Sequence, residues 1–492
     1  MAGAGAALAL AWAVGILAQP ARAELTVADL TSKSVAAVGP YQQDVADALK
    51  AFAAGDYGTA FARLESAKKS TPPLSLPEVM MARLYFDGNV PAAGVGMLEQ
   101  ALRRDPKDPE ALILLAERAL AEGRLTEAGM VFAKAAPLVE EFSFNPKRRQ
   151  DLQIRMHNGA AIVDERAGNL AGAQKHLEEL CRLDTQNAQA MERLGRVIFQ
   201  QGSGDKIAGQ KAYEQFKAAA AADPKMPPPE IAMAAQFKDK IKAEQWLNHA
   251  LSAHPDDVRT HIAIGQYRLR ENRIDEAKTH SDKALALDPN GLDANLLAGL
   301  VARLQYDYPT ATKLLGAAHL LSPGDPSIIN NLALVLIELP DDASHLRAGQ
   351  FAELNAVQHP NSAEALMTFG WICYHLNRRA DAQRALKTAF QATAAANDNR
   401  MNADMGYYLA VLARDAGRIP DALQLLKESL NTTQPFAYRK PAQALLAQLE
   451  KMPAATAGDA RSKAGAVPRS AARPPGQPAA PPGDNQPITT TP

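Results

Sequence analysis

Cysteine is almost missing: there are two in 492 residues. Two thiols cannot staple a chain of this size, so a disulfide scaffold is excluded. Aromatic residues make up only 5%. With Ala running through the whole chain, the core must be built by close helix contacts, not large rings. Neither sign of charge is in excess, since 53 Lys and Arg face 54 Asp and Glu for a net charge of −1. Nucleic-acid binding needs a clustered basic field, which this balance does not supply. Also lacking are a phosphate-cradling Gly-rich loop, a nucleophile elbow and a His-Glu-x-x-His helix. Length alone suggests about three domains, but an internal periodicity overrides that count.

The two ends differ from the middle. Residues Ala2 to Ala18 carry no charge, and small residues follow at Ala21 and Ala23. This pattern predicts an export signal over 1–23, with the mature chain starting near Glu24 in a periplasmic or secreted setting. No Lys or Arg precedes the apolar run, unlike the usual signal. The alternative is an uncleaved anchor, for which the run is short of the ~20 residues that span a bilayer. From Pro453 to Pro492, repeated prolines and the lack of any aromatic residue predict a disordered tail, because too little apolar surface is available to offset ordering.

Between the ends, Ala-Leu followed by Asp-Pro recurs at one offset, as in Ala101-Leu102 with Asp105-Pro106 and Ala284-Leu285 with Asp288-Pro289. Pro255, Pro289 and Pro323 lie 34 residues apart. Small residues recur in the same frame: Ala116, Gly195, Gly265 and Gly299 at one place, Ala128, Ala212, Ala277 and Ala311 at a second, Ala135, Ala219, Ala284 and Ala318 at a third. A period of 34 with two helical patterns is the mark of stacked helical hairpins. Small side chains at the first two places let paired backbones approach. Phe132, Phe216 and Leu315 then fill the space beside the crossing. Gly55, Gly123, Gly168 and Gly417 fall where a positive φ must end the first helix, and the prolines stop the second.

In these residues the chain resembles the tetratricopeptide repeat family. The resemblance implies an all-α, right-handed solenoid of about eleven hairpins. Units start near residues 41, 75, 109, 154, 188, 227, 258, 292, 326, 363 and 403, after a lead-in at 24–40. Units one to three fill 41–142, an insertion 143–153 follows, and units four to eleven fill 154–436. A capping helix lies in 437–452, with Leu445, Leu446 and Leu449 inward and Gln443 and Gln448 outward, as array ends require. The sixth unit is short and opens on Pro227-Pro228-Pro229, so its first helix is the weakest in the pattern.

Groups able to do chemistry are scarce. His254, Asp256, Asp257 and His261 are close in sequence, but they fall in an inter-repeat turn where Asp257 suits a helix cap better than a metal ligand. Cys373 and Cys181 read as buried small hydrophobes. Lys147-Arg148-Arg149 reads as a solvated helix start, and Asn431-Thr432-Thr433 matches an N-glycan acceptor by a pattern frequent by chance. No catalytic constellation, cofactor site or small-molecule site emerges, and no enzyme activity is expected.

The family resemblance implies instead that first-helix side chains line a concave face for a protein or peptide. In units four and five these are Arg155, Asn158, Glu165, Gln189, Glu192 and Arg196, a polar wall. In units eight to eleven they are Leu296, Leu300, Arg303, Asn330, Leu334, Met367, Trp371, Tyr374, Tyr407 and Val411. Apolar and aromatic groups on open surface mark an interaction site. Coverage by neighbouring turns or by the capping helix is the alternative, and the sequence leaves both open. The carboxylate clamp of the chaperone-binding subfamily is not matched, since its places hold Val79, Arg83, Glu117 and Leu297. The expected role is an exported scaffold for a protein or peptide partner. The alternative is a structural subunit of an envelope or secretion assembly that uses its apolar C-terminal repeats as a permanent contact.

Overall fold

The computed structural model describes residues 25–31, 40–69, 74–202, 205–395 and 402–452. The expected export signal and tail lie outside them. The described residues form 24 helices and no strand. After α1 (Val27–Leu30), α2 (Pro40–Ala53) pairs with α3 (Tyr57–Ala67), α4 (Pro77–Asp87) with α5 (Pro91–Arg104), and α6 (Pro109–Ala121) with α7 (Leu125–Glu141). Next come α8 (Pro146–Ala167) with α9 (Leu170–Leu183), α10 (Ala188–Gln201) with α11 (Lys206–Ala222), and α12 (Pro229–Ala234) with α13 (Lys240–Ala253). They are followed by α14 (Val258–Arg270) with α15 (Ile274–Leu287), α16 (Leu292–Leu304) with α17 (Tyr308–Leu321), and α18 (Pro326–Leu336) with α19 (Asp342–Gln358). Then come α20 (Ala363–His375), α21 (Arg379–Ala395), the pair α22 (Ala403–Asp415) and α23 (Ile419–Leu430), and α24 (Arg439–Glu450). The described residues thus contain ten such helix pairs, with α20 and α21 between the ninth and the last. The described residues form two compact units, one by those from 25 to 385 together with 433–435, the other by those from 386 to 432 and from 436 to 452.

Local chemistry sets the helix ends. Asp56, Asp108, Asp205, Asp257, Asp307, Asp325 and Asp341 each cap the following helix by accepting backbone N–H groups two or three residues on, which satisfies donors that the helix itself leaves open. Asp257 is therefore a cap, as its place in the turn implied. In eight hairpins the turn holds one left-handed residue. Gly55, Gly123, Gly168 and Gly417 have φ between 71° and 78°. In other hairpins Asn89, Asn272, Asn377 and Tyr306 take the same conformation. Asn tolerates it through its short polar side chain, whereas Tyr306 adopts it against a steric penalty.

Close approach at the hairpin crossing is visible at Gly195 and Gly299. A Cβ on Gly299 would sit 2.7 Å from Leu315 Cγ, and one on Gly195 would sit 2.7 Å from Phe216 Cε1. Ala212, Ala311, Leu315 and Phe216 are buried beside them. Within the first unit, second helices also pack on the next first helix, α7 on α8, α9 on α10, α15 on α16 and α17 on α18. Each hairpin thereby buries the face it cannot cover alone.

Two departures matter. Much of the expected insertion 143–153 is helix: Asn145 caps α8 and Pro146 starts it, so unit four gains extra turns at its front. The sixth unit keeps only six residues in its first helix, α12. At the other end, α24 buries Ala442, Leu445 and Leu449, leaves Gln443 and Gln448 exposed, and holds Leu446 half-buried.

Candidate partner-binding face

The polar wall expected on units four and five is an ion-pair ladder. Arg155 of α8 grips Glu117 of α6 by two bonds, Nε to Oε1 at 3.0 Å and Nη2 to Oε2 at 2.7 Å. Arg193 of α10, absent from the expected set, donates to Asn158 Oδ1 at 2.6 Å and to Glu165 Oε2. Arg196 reaches Glu165 at 3.4 Å and Glu192 at 3.7 Å. All of these side chains are half-buried, and Gln189 is exposed. Each first helix is thereby tied to its neighbour by planar guanidinium–carboxylate pairs. Burial pushes the Glu192 carboxyl up, with Arg196 offsetting only part of the effect.

Below this ladder is a fully buried charge. Glu110 of α6 has no exposed surface, yet it accepts from Ser75 Oγ at 2.5 Å and from Arg148 Nε at 2.9 Å. Arg83 and Arg155 lie 3.6 and 3.7 Å from its other oxygen. Burial raises the Glu110 carboxyl, but the Arg148, Arg83 and Arg155 charges outweigh it and hold it to about 2. Its neighbour Asp108 is pushed up to about 6 by burial and by the Glu110 charge. Arg148 overturns the reading of Lys147-Arg148-Arg149 as a solvated run: it is buried and also donates to the Leu74 carbonyl at 3.2 Å. Lys147 alone of the three is exposed. The buried acid two residues past a helix cap gave no sequence signal, because its partners come from α8, from α4 and from Ser75 just before α4.

The apolar wall divides by exposure. On α16, Leu296, Leu300 and Arg303 are half-buried, and Arg303 Nη1 donates to Asn331 Oδ1 at 2.9 Å. On α18, Asn330 and Leu334 are buried. The Asn330 carbonyl oxygen accepts from Asn355 Nδ2 at 2.8 Å, and the same amide donates to the Pro326 carbonyl at 3.0 Å. On α20, Met367 and Trp371 are buried, whereas Tyr374 is half-buried. The Trp371 and Tyr374 rings stack with centres 5.2 Å apart, and the Arg379 guanidinium lies 3.9 Å from the Tyr374 ring centre.

In the second unit, Tyr407 and Val411 of α22 are buried. The Tyr438 ring stacks on Tyr407 at 5.3 Å and meets Tyr408 edge-on at 5.4 Å, with Phe436 6.4 Å from Tyr407. The short segment between α23 and α24 therefore covers this end. The sequence reading did not single out Phe436 or Tyr438, because their effect depends on the rings of α22 opposite them.

The remaining candidates are placed simply. His261 Nε2 lies 2.9 Å from the Pro255 carbonyl, and Lys283 pairs with Asp256. Among the described residues, no group of three or more His, Cys, Asp or Glu is arranged to hold a metal ion. Cys373 is a buried free thiol as expected, whereas Cys181 is free but only half-buried; burial pushes both thiols up to about 11. Asn431 is exposed in the turn after α23. No helix among the described residues is long and apolar enough to cross a membrane.

Residues 79–146 match the tetratricopeptide repeat family. No curated protein matches the chain. Among solved structures, yeast Tom70 is 15% identical, with 83% of this chain and 95% of that chain covered and a TM-score of 0.31. The Cut9 and Hcn1 hetero-tetramer of the APC/C is 13% identical, covering 87% and 93% with a TM-score of 0.36. YrrB, described as having an unusual peptide-binding site, is 19% identical, covering 42% and 98% with a TM-score of 0.27. These likenesses are too distant to carry an argument. Over residues 79–146 the chain matches the tetratricopeptide repeat, and helix pairs with small residues at the crossing recur on either side of that stretch.

Proposed function

We propose that this protein is an exported, non-enzymatic scaffold that binds a protein or peptide on the face formed by its first helices. The carrying observation is the half-buried group Leu296, Leu300, Arg303 and Tyr374 on α16 and α20. Apolar surface left partly open beside an arginine and a tyrosine is the composition that binding hot spots favour. Of the buried members of the expected set, Asn330, Leu334, Met367 and Trp371, the Trp371 ring stacks directly on Tyr374. Tyr407 and Val411 are buried in the second unit, with the Phe436 and Tyr438 rings against Tyr407.

The test is affinity capture with the full chain carrying Leu300→Glu together with Tyr374→Ala. Capture should fall by about tenfold or more, equivalent to the 1.4 kcal/mol that one lost anchor exceeds, with the helical circular dichroism unchanged. Undiminished capture removes these residues from the binding face. Export rests on the composition of residues 1–23, and N-terminal sequencing of the protein recovered from its host tests it: a start near Glu24 supports cleavage, and an intact Met1 favours an anchor.

One observation favours a second reading, a subunit of an envelope assembly. Leu320 on α17 and Leu346, Leu354 and Val357 on α19 are all exposed, Leu320 at 81%. The two helices are neighbours through the His319–Phe351 ring contact at 5.1 Å. A permanent contact through these groups makes the purified chain a stable oligomer at low concentration, whereas a monomer favours the scaffold.

A further inference from the structure

The same side-chain arrangement recurs in two hairpins. His157 of α8 faces His176 of α9 with Nδ1 atoms 2.9 Å apart, and His261 of α14 faces His280 of α15 with Nδ1 atoms 3.1 Å apart. In each case the partners are 19 residues apart in sequence, so both pairs hold the same two places in their repeats. The ring centres are 5.2 and 5.3 Å apart, so the nitrogens point nearly head-on at each other. That is the geometry of an Nδ1–H donating to a bare Nδ1. Two ligands of one metal ion instead converge on a point to the side.

The second pair reveals where its proton is. A carbonyl only accepts, so His261 Nε2–H donates to the Pro255 oxygen at 2.9 Å. Neutral His261 then has a bare Nδ1, and His280 must supply the proton between them. One added proton, on His280 Nε2, leaves that bond in place. A second, on His261 Nδ1, sets two N–H groups and two positive charges against each other.

We propose that the two imidazole pairs are acid-release latches, each holding its hairpin closed by one shared proton and opening it when both rings are protonated. The surroundings oppose charging. Burial, then His261 and Arg268, push His280 down to about 4, with Glu276 the opposing carboxylate. From α13, Glu244 engages Arg268 at 2.8 Å. For the first pair, burial and then His176 lower His157, while Glu140 of α7 and Glu179 of α9 oppose and Arg182 adds to the shift. Burial lowers His176, with Asp164 of α8 opposing and Lys175 adding. A histidine lowered in the folded state stabilises the fold above its ordinary value of 6.5, and that contribution is lost as pH falls toward about 4.

The α12–α13 hairpin provides an internal contrast. At the same two places it carries Glu230 and His249, 3.9 Å apart. Burial pushes the Glu230 carboxyl up, but Tyr213, the backbone, His254 and His249 outweigh it and hold it below the usual range. Protonating His249 therefore adds attraction.

Hydrogen–deuterium exchange on the full chain at about pH 7 and about pH 4.5 tests the latches, with intrinsic rates corrected. Protection in α8–α9 and α14–α15 should fall by about tenfold or more relative to α16–α17 and α12–α13. The variant His176→Asn with His280→Asn keeps a donor near each Nδ1 place and does not titrate, so the extra fall should vanish. Equal behaviour of all hairpins, or an equal fall in the variant, overturns the proposal. Histidine NMR titration of the unaltered protein gives an independent check: a midpoint for His280 at the ordinary value of 6.5 also overturns it.

Discussion

Single residues decide how closely the helices meet. Gly299 is small because the buried Leu315 occupies the space its Cβ needs. Gly299→Ala should cost about 1–3 kcal/mol by overpacking, read as a lower denaturant midpoint with an unchanged slope. Enlarging Ala311 on the facing helix acts on the same crossing. Glu110 makes a different kind of residue-scale statement. Its replacement by Gln leaves Arg148, Arg83 and Arg155 facing a neutral amide in a buried place, which should destabilise by about 3–5 kcal/mol at neutral pH. The pH dependence has a defined sign. Glu110 is lowered on folding, so its contribution is present above 4.5 and is lost as pH falls through about 2. Asp108 is raised on folding, so its contribution is present below 3.8 and is lost as pH rises through about 6. Stability curves of Glu110→Gln and the parent should therefore converge at the acid end.

At the scale of elements, sequence legibility followed the origin of each helix end. The cap Asp257 and the left-handed Gly55, Gly123, Gly168 and Gly417 act within a few residues of themselves, and their roles were visible in the chain; Asp56 and Asp325 cap their helices in the same local way. The front of α8 was not. Phe142-Ser143-Phe144-Asn145-Pro146 breaks the 34-residue frame, and a frame-based reading sees an insertion where Asn145 and Pro146 start a longer helix. α24 was visible as an amphipathic stretch, but the aromatic segment before it has its effect through tertiary contact. Tyr438 stacks on Tyr407 and touches Tyr408 within the second unit. Tyr438→Ala should cost that unit about 3 kcal/mol or more and open Tyr407 to nitration. Unaltered labelling of Tyr407 shows that another group covers it.

At the scale of the whole molecule, the function class follows from repetition, and the charge distribution decides how the face is built. A helix pair repeated in series offers equivalent side chains at one place in each repeat, which suits binding an extended partner. Units four and five spend those places on pairs such as Arg155 with Glu117 and Arg193 with Glu165. Units eight and ten keep Leu296, Leu300, Arg303 and Tyr374 half-buried. Acid changes this molecule unevenly, because His157–His176 and His261–His280 lie in two hairpins and Glu230–His249 lies in a third.

The sequence alone determined the all-helical class, the hairpin frame and most turns, because these depend on side-chain size and on φ at positions set by a 34-residue period. Tertiary structure alone decided which members of each line remain open. Asn330 and Asn355, Tyr407 and Tyr438, and Glu110 and Arg148 are distant in the chain, and each pair buries a group that its own helix leaves outward. Burial is a property of what lies opposite, and a one-dimensional pattern has no opposite side.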